Sequence, residues 1–304
     1  MRCPKCQFDH ELQTTECLKC GIVFARYQAA LDAKKAGVPV PGVLVPAPTS
    51  FAPPADPYDA RRELLYRALA LPLALGVGRW VAGSGLLGFA AGLLAMPVHE
   101  GGHAITSWLT GRWAVPMLWV TYNSDYRSWW IVLAVTGALA FGGYKACKAR
   151  RWGWGCAAGA VLILQLKILS LPAFTQGSLI VFGGDGGALV LATILMALFY
   201  APRENVIYKS WGLRWGLLAI GALSFMHVYR LWSGPWENIP FGEEEGINLS
   251  DPTRLTEEYG WSVIQLVDRY LLLAKVCLVA LLALYVWGLV SAYLETRAKK
   301  VVSV

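Results

Sequence analysis

Two clusters of side chains in this chain have the types and spacing to hold a metal ion. In the first, His99-Glu100-Gly101-Gly102-His103 sets two imidazoles and a carboxylate within five residues. On a helix, positions i and i+4 share one face a turn apart, so His99 and His103 can ligate a single zinc. Glu100 beside them is placed to take a proton from a water on that zinc. A catalytic zinc keeps three protein ligands and one open position, so a third ligand must come from elsewhere. Two candidates stand in later apolar stretches, Asp185 and His227. Asp185 lies in Phe182-Gly183-Gly184-Asp185-Gly186-Gly187, where glycines allow close backbone approach. A lone carboxylate in such a stretch is expensive unless it meets a cation. Asp185 is therefore the better choice, against its alternative reading as a helix cap in a glycine loop. His227, in Ser224-Phe225-Met226-His227, reads more simply as a helix histidine bonded to a neighbour or lining a cavity.

The second cluster is Cys3-Pro4-Lys5-Cys6, followed after ten residues by Cys17-Leu18-Lys19-Cys20-Gly21. Two Cys-x-x-Cys knuckles, with Cys3, Cys6, Cys17 and Cys20 as ligands, supply four thiolates to one structural zinc. Gly21 suits the tight turn after the second pair. Four protein ligands leave no position open for chemistry, so residues 1–27 are expected to be a zinc ribbon with a structural or partner-binding role. So short a segment cannot bury an adequate core, and the metal would supply its folding energy. His10 is a spare ligand candidate. The other three cysteines, Cys147, Cys156 and Cys277, are scattered. An odd, clustered count is not a disulfide framework and points to a reducing compartment.

The rest of the chain must position these groups, and its composition says how. Of 304 residues, 56% are hydrophobic and 15% charged, and mean hydropathy is +0.45. Soluble domains carry about 25% charged residues, so a disordered chain, a fibre and an ordinary soluble enzyme are excluded. Residues 28–60 form a Pro-rich linker, with seven of the 16 prolines between 39 and 57. Apolar segments follow at about 64–80, 84–110, 129–145, 152–172, 184–201, 211–232 and 263–294. Most approach the ~20 residues needed to cross a bilayer as a helix. Residues 115–121 read as a short membrane-edge strand or hairpin. The expected fold is an all-α polytopic membrane protein of six or seven helices, residues 61–304, with a small N-terminal zinc ribbon.

Charge bears on topology. Residues 1–60 hold six basic and six acidic side chains, so the net charge of +7 belongs to 61–304. A neutral head argues against nucleic-acid binding. The basic stretch 145–151 and the tail Arg297, Lys299 and Lys300 favour the inside, and the acidic stretch 233–260 the outside. A cytoplasmic ribbon then requires 64–80 to lie along the surface; if 64–80 crosses, 145–151 goes outside. Met1-Arg2-Cys3 opens no secretory signal. The short loops and cysteine pattern suit a bacterial inner membrane.

His-Glu-Gly-Gly-His in a membrane segment, with Asp-Gly 82 residues on at the head of a later one, resembles the site-2 protease family of intramembrane zinc metalloproteases. The resemblance covers roughly residues 84–201. It implies zinc ligands His99, His103 and Asp185, with Glu100 as general base, and hydrolysis of peptide bonds in membrane-spanning or membrane-proximal substrates. This chain departs from the family pattern upstream of the second motif, where Gly184 precedes Asp185, Pro172 is 13 residues away and no Asn is near. The expected cofactors are two zinc ions, one catalytic and one structural. The expected partners are a membrane-protein substrate, the bilayer and a protein that binds the ribbon. A non-proteolytic scaffold or chaperone with a structural zinc, and a metal transporter, are the competing readings. Glu100 beside the ligands favours hydrolysis, because neither rival needs a base there.

Overall fold

The computed structural model describes residues 2–9, 15–17, 20–25, 27–28, 31–32, 60–242, 244–245 and 248–302. His10 and all but four residues of the expected linker 28–60 lie outside the described residues. The chain divides into two compact units, Met1–Asp59 and Ala60–Val304.

Among its described residues, the first unit holds two turns of the same kind. The Cys3 N–H donates to the Phe8 carbonyl (2.9 Å) and the Cys17 N–H to that of Ile22 (2.8 Å), closing each cysteine pair into a knuckle. Single bridges, Arg2 with Asp9 and Glu16 with Val23, flank the turns. The residue after each second cysteine has positive φ: Gln7 at 60° and Gly21 at 68°. Glycine adopts that conformation without steric cost, as expected at Gly21; Gln7 occupies the equivalent place in the first knuckle.

In the second unit, helix α1 spans Ala60–Ala82 and α2 Gly85–Leu109. A hairpin follows, β1 Arg112–Pro116 and β2 Thr121–Arg127, antiparallel, with Val115 opposite Tyr122 and a bulge between Arg112 and Ala114. Next come α3 Trp129–Lys148, α4 Trp152–Leu169, α5 Ala173–Ala197, the short α6 Val206–Lys209 and α7 Trp211–Ser233. Beyond α7 are a two-residue ladder, β3 Glu244–Glu245 with β4 Asn248–Leu249, then α8 Asp251–Glu257 and α9 Val263–Val302. The structure is mostly helical, and the hairpins add to an expectation that was all-α.

Five of these helices are long and apolar enough to cross a membrane: Arg61–Ala82, Trp129–Lys148, Trp152–Leu169, Ala173–Tyr200 and Val263–Arg297. This is the build of an integral membrane protein. Helices α3 and α4 make the point most directly. Val132 is the one buried residue of α3, while Leu133, Phe141, Ile163 and Leu166 are exposed along the pair. Apolar patches on that scale are unfavourable in water and matched in hydrocarbon.

One boundary differs from the sequence reading. Helix α5 starts at Ala173, behind Pro172, and not near Gly184, so Asp185 lies in mid-helix. The glycines do not end the helix. They flatten one side of it, and α2 lies against that side. A Cβ at Gly102 would run into the Gly183 and Gly184 carbonyl oxygens. Helices in lipid associate through such close packing of small residues, because burial of apolar surface gives no drive there.

Away from this contact, α1, α7 and α9 are joined by a buried ion cluster. Glu63 accepts from Arg67 Nε at 2.7 Å and from both terminal nitrogens of Arg214, at 2.7 and 3.0 Å. Arg214 also donates to the Phe199 carbonyl (2.9 Å), with its guanidinium over the Phe199 ring (4.1 Å). Arg67 reaches the Gly288 carbonyl at 3.4 Å. Removing one member of such a cluster typically costs about 3–5 kcal/mol, because it strands a buried charge.

Candidate metal centres

In the first unit the four cysteine sulfurs converge. Cys3 Sγ lies 3.8 Å from Cys20 Sγ, and Cys6 Sγ 3.6 Å from Cys17 Sγ. All four fall within the span of one ion. Burial raises the Cys3 thiol, but N–H groups of Cys6 and Lys5 aimed at its sulfur outweigh that and lower it to about 6. Cys20 is pushed up to about 12, first by burial and then by the sulfurs beside it. The first thiolate forms readily and the last is resisted by its neighbours, a conflict that a divalent cation removes.

In the second unit, α2 presents His99 and His103 on one face, as the i,i+4 spacing requires, and their Nε2 atoms stand 3.1 Å apart. The groups behind each ring fix its tautomer. His103 Nδ1 is 2.8 Å from the Ile180 carbonyl oxygen, which can only accept, so that nitrogen carries the hydrogen. His99 Nδ1 is 2.9 Å from Asp185 Oδ1 and carries the hydrogen for the same reason. In the neutral rings both Nε2 atoms therefore present lone pairs to the same point.

The third group at that point is Asp251. Its Oδ2 lies 2.9 Å from His103 Nε2 and 3.5 Å from His99 Nε2. Tetrahedral zinc with bonds of about 2.0–2.1 Å sets its donor atoms about 3.3 Å apart, and the three observed separations bracket that value. Asp251 Oδ2 is buried and has no hydrogen-bond donor. Burial would raise the Asp251 carboxyl, but the imidazoles of His103 and, less strongly, His99 beside it hold it well below the usual carboxylate range. A Cβ at Gly184 would stand 2.5 Å from Asp251 Oδ2, 2.5 Å from His99 Cε1 and 2.6 Å from His103 Nε2. Glycine at 184 thus leaves open the space that an ion would fill. Gly184→Ala is expected to fold and to lose this ion while keeping the cysteine-bound one, a difference that elemental analysis of the purified protein reads directly.

Asp185, expected as the third ligand, stands behind His99 instead. Its Oδ1 meets Nδ1 of that ring, on the side away from the cluster, and its Oδ2 accepts from Trp232 Nε1 at 2.7 Å. Both oxygens are thus engaged with α2 and α7. Trp232 is fixed in turn by stacking on Tyr270 (ring centroids 4.1 Å), and Tyr270 stacks on Phe182 (4.4 Å). His227 lies beside Gly92, one to two turns before the His99 end of the site, and is not part of the cluster.

Glu100 is buried at 3% exposure and lines a cavity of about 80 Å³ together with His99, His103 and Asp251. The far wall comes from the hairpin through Thr121 and Asn123. The Thr121 hydroxyl donates to the Glu100 carbonyl at 2.8 Å, tying the start of β2 to the helix turn that carries the cluster.

Asp251 is the residue that the sequence reading missed. It is one of seven acids between 233 and 260 and looks like part of a solvated loop. The available signal was Ser250-Asp251-Pro252, a helix start with Pro in the first turn, which fixes a carboxylate in direction. Nothing local pairs it with residues 148 positions upstream. Compared with protein-family models, with curated proteins and with solved structures, the chain finds no match in any of the three.

Proposed function

We propose that this chain is a membrane-embedded zinc endopeptidase of site-2 protease type, with zinc held by His99, His103 and Asp251. The observation that carries the reading is the convergence of three lone pairs, at zinc-ligand spacing, on a cavity walled by a further buried carboxylate. Asp185 acts through His99: it holds the ring in the tautomer that presents Nε2 and makes that nitrogen more basic. Zinc bound there supplies Lewis acidity, acidifying water and polarising a peptide carbonyl. Glu100 takes the proton from the attacking water as the C–O bond forms. It returns the proton to the amine nitrogen as the C–N bond breaks.

The substrate is a membrane-spanning or membrane-proximal segment. It must unwind at the scissile bond, since helical hydrogen bonds hide that carbonyl. Strand β2 is paired on one side, by β1, and its other edge beside the cavity suits an extended peptide. In this reading α2 and α7 pack with the apolar helices into one bundle in a bacterial inner membrane. The cysteine knuckles form a cytoplasmic zinc ribbon that binds a protein partner.

Zinc counting on the full chain tests the proposal. Wild type is expected to hold two zinc ions and His99→Ala one. Two ions retained in His99→Ala, or one in wild type, would overturn the membrane site.

A further inference from the structure

Among the described residues on its wall, the cavity over the imidazoles has one permanently charged cation. Arg254 stands three residues after Asp251 on α8, on the same face of that helix, and its side chain lines the cavity with His99, Glu100, His103 and Asp251. Glu258 engages only its Nε, at 3.3 Å to each carboxylate oxygen. That pair is partly exposed, at 29% and 47%, where ion pairs are weak. The two terminal nitrogens of Arg254 have no partner among the described residues. They form the planar fork that takes a carboxylate through two parallel hydrogen bonds.

We infer that Arg254 anchors a carboxylate of the substrate at the mouth of the metal cavity; this rests on the peptidase reading above. The carboxylate is either the C-terminus of a peptide or an Asp or Glu side chain near the cleaved bond. The first makes the enzyme trim exposed ends, and the second gives it a sequence preference inside a chain. In both cases the site selects against peptides that place Lys or Arg at that position, since like charges would meet at the mouth.

Three peptide hydroxamates of one sequence test this on the full-length, zinc-loaded protein. One ends in a free carboxylate, one in an amide, and one in an amide with a Glu side chain added. Affinity is measured by calorimetry, which requires no turnover. Wild type is expected to bind one of the carboxylate peptides roughly 10- to 100-fold more tightly than the plain amide, the range for a charge-assisted hydrogen bond. Which of the two gains tells the sources apart. Arg254→Gln should reduce that peptide to the amide's affinity and leave the amide itself unchanged, at wild-type zinc content. Equal affinity of all three for wild type, or a preference that survives in Arg254→Gln, overturns the role of Arg254. If no hydroxamate binds zinc-loaded wild type, the metallopeptidase reading itself fails.

Discussion

Glu100→Gln is expected to bind zinc as wild type does and to hydrolyse peptide roughly 10²–10⁴-fold more slowly, the range for removal of a general base. The substitution keeps size and shape, and the Glu100 carbonyl still receives the Thr121 hydroxyl, so the helix turn that carries His99 and His103 is unaltered. What it removes is proton affinity. An amide oxygen cannot take the water proton, and among the described residues no other carboxylate at the cavity or beside its imidazoles is free to do so. Asp251 is turned toward the imidazoles, and Asp185 is engaged by His99 and Trp232. Cleavage of a single-span peptide in proteoliposomes, with zinc measured on the same sample, gives both readouts. Full cleavage at full zinc would remove Glu100 from the chemistry.

Asp251→Ala and Asp185→Asn should separate ligand from support. Asp251→Ala leaves two imidazoles to hold the ion, and the membrane-domain zinc should be lost on dialysis while the cysteine-bound zinc stays. Asp185→Asn keeps an oxygen for the His99 Nδ1 hydrogen but cannot accept from both His99 and Trp232 with full charge. Its expected effect is a loss of about 10- to 100-fold in zinc affinity, as for other groups that support a ligand from behind. Competition with a chelator of known affinity measures both variants. If Asp185→Asn emptied the site and Asp251→Ala left it full, the two roles would be exchanged.

The parts of this site that sequence alone made legible are those set by local periodicity. The i,i+4 spacing on one helix suffices to bring His99 to His103, and a two-residue gap suffices to fold each cysteine pair back on itself. Asp251 has no such local mark. It reaches the histidines because α8 starts where the chain returns after α7, and that return depends on packing between helices distant in sequence. The apolar stretch 184–201 puts Asp185 at the head of a helix, whereas α5 begins at Ala173 and carries it in mid-helix. Glycine serves both a helix end and close contact between two helices, and the composition of Gly183-Gly184-Asp185-Gly186-Gly187 does not distinguish the two uses. Arg67 is an ionisable side chain within the apolar stretch 64–80, and Glu63 four residues earlier pairs with it.

That pairing has a consequence for how the protein is made. Glu63 is synthesised 151 residues before Arg214, an interval of about 8–30 s at 5–20 residues per second. During it α1 must reach the bilayer without the guanidinium that later grips its carboxylate. Because Arg67 lies one turn from Glu63 and binds it within the same helix, the segment is delivered to lipid with its charges already matched. Arg214 arrives as a second, bidentate partner and draws α7 onto a helix already in place. The cluster thereby matches charge within α1 as well as between α1 and α7.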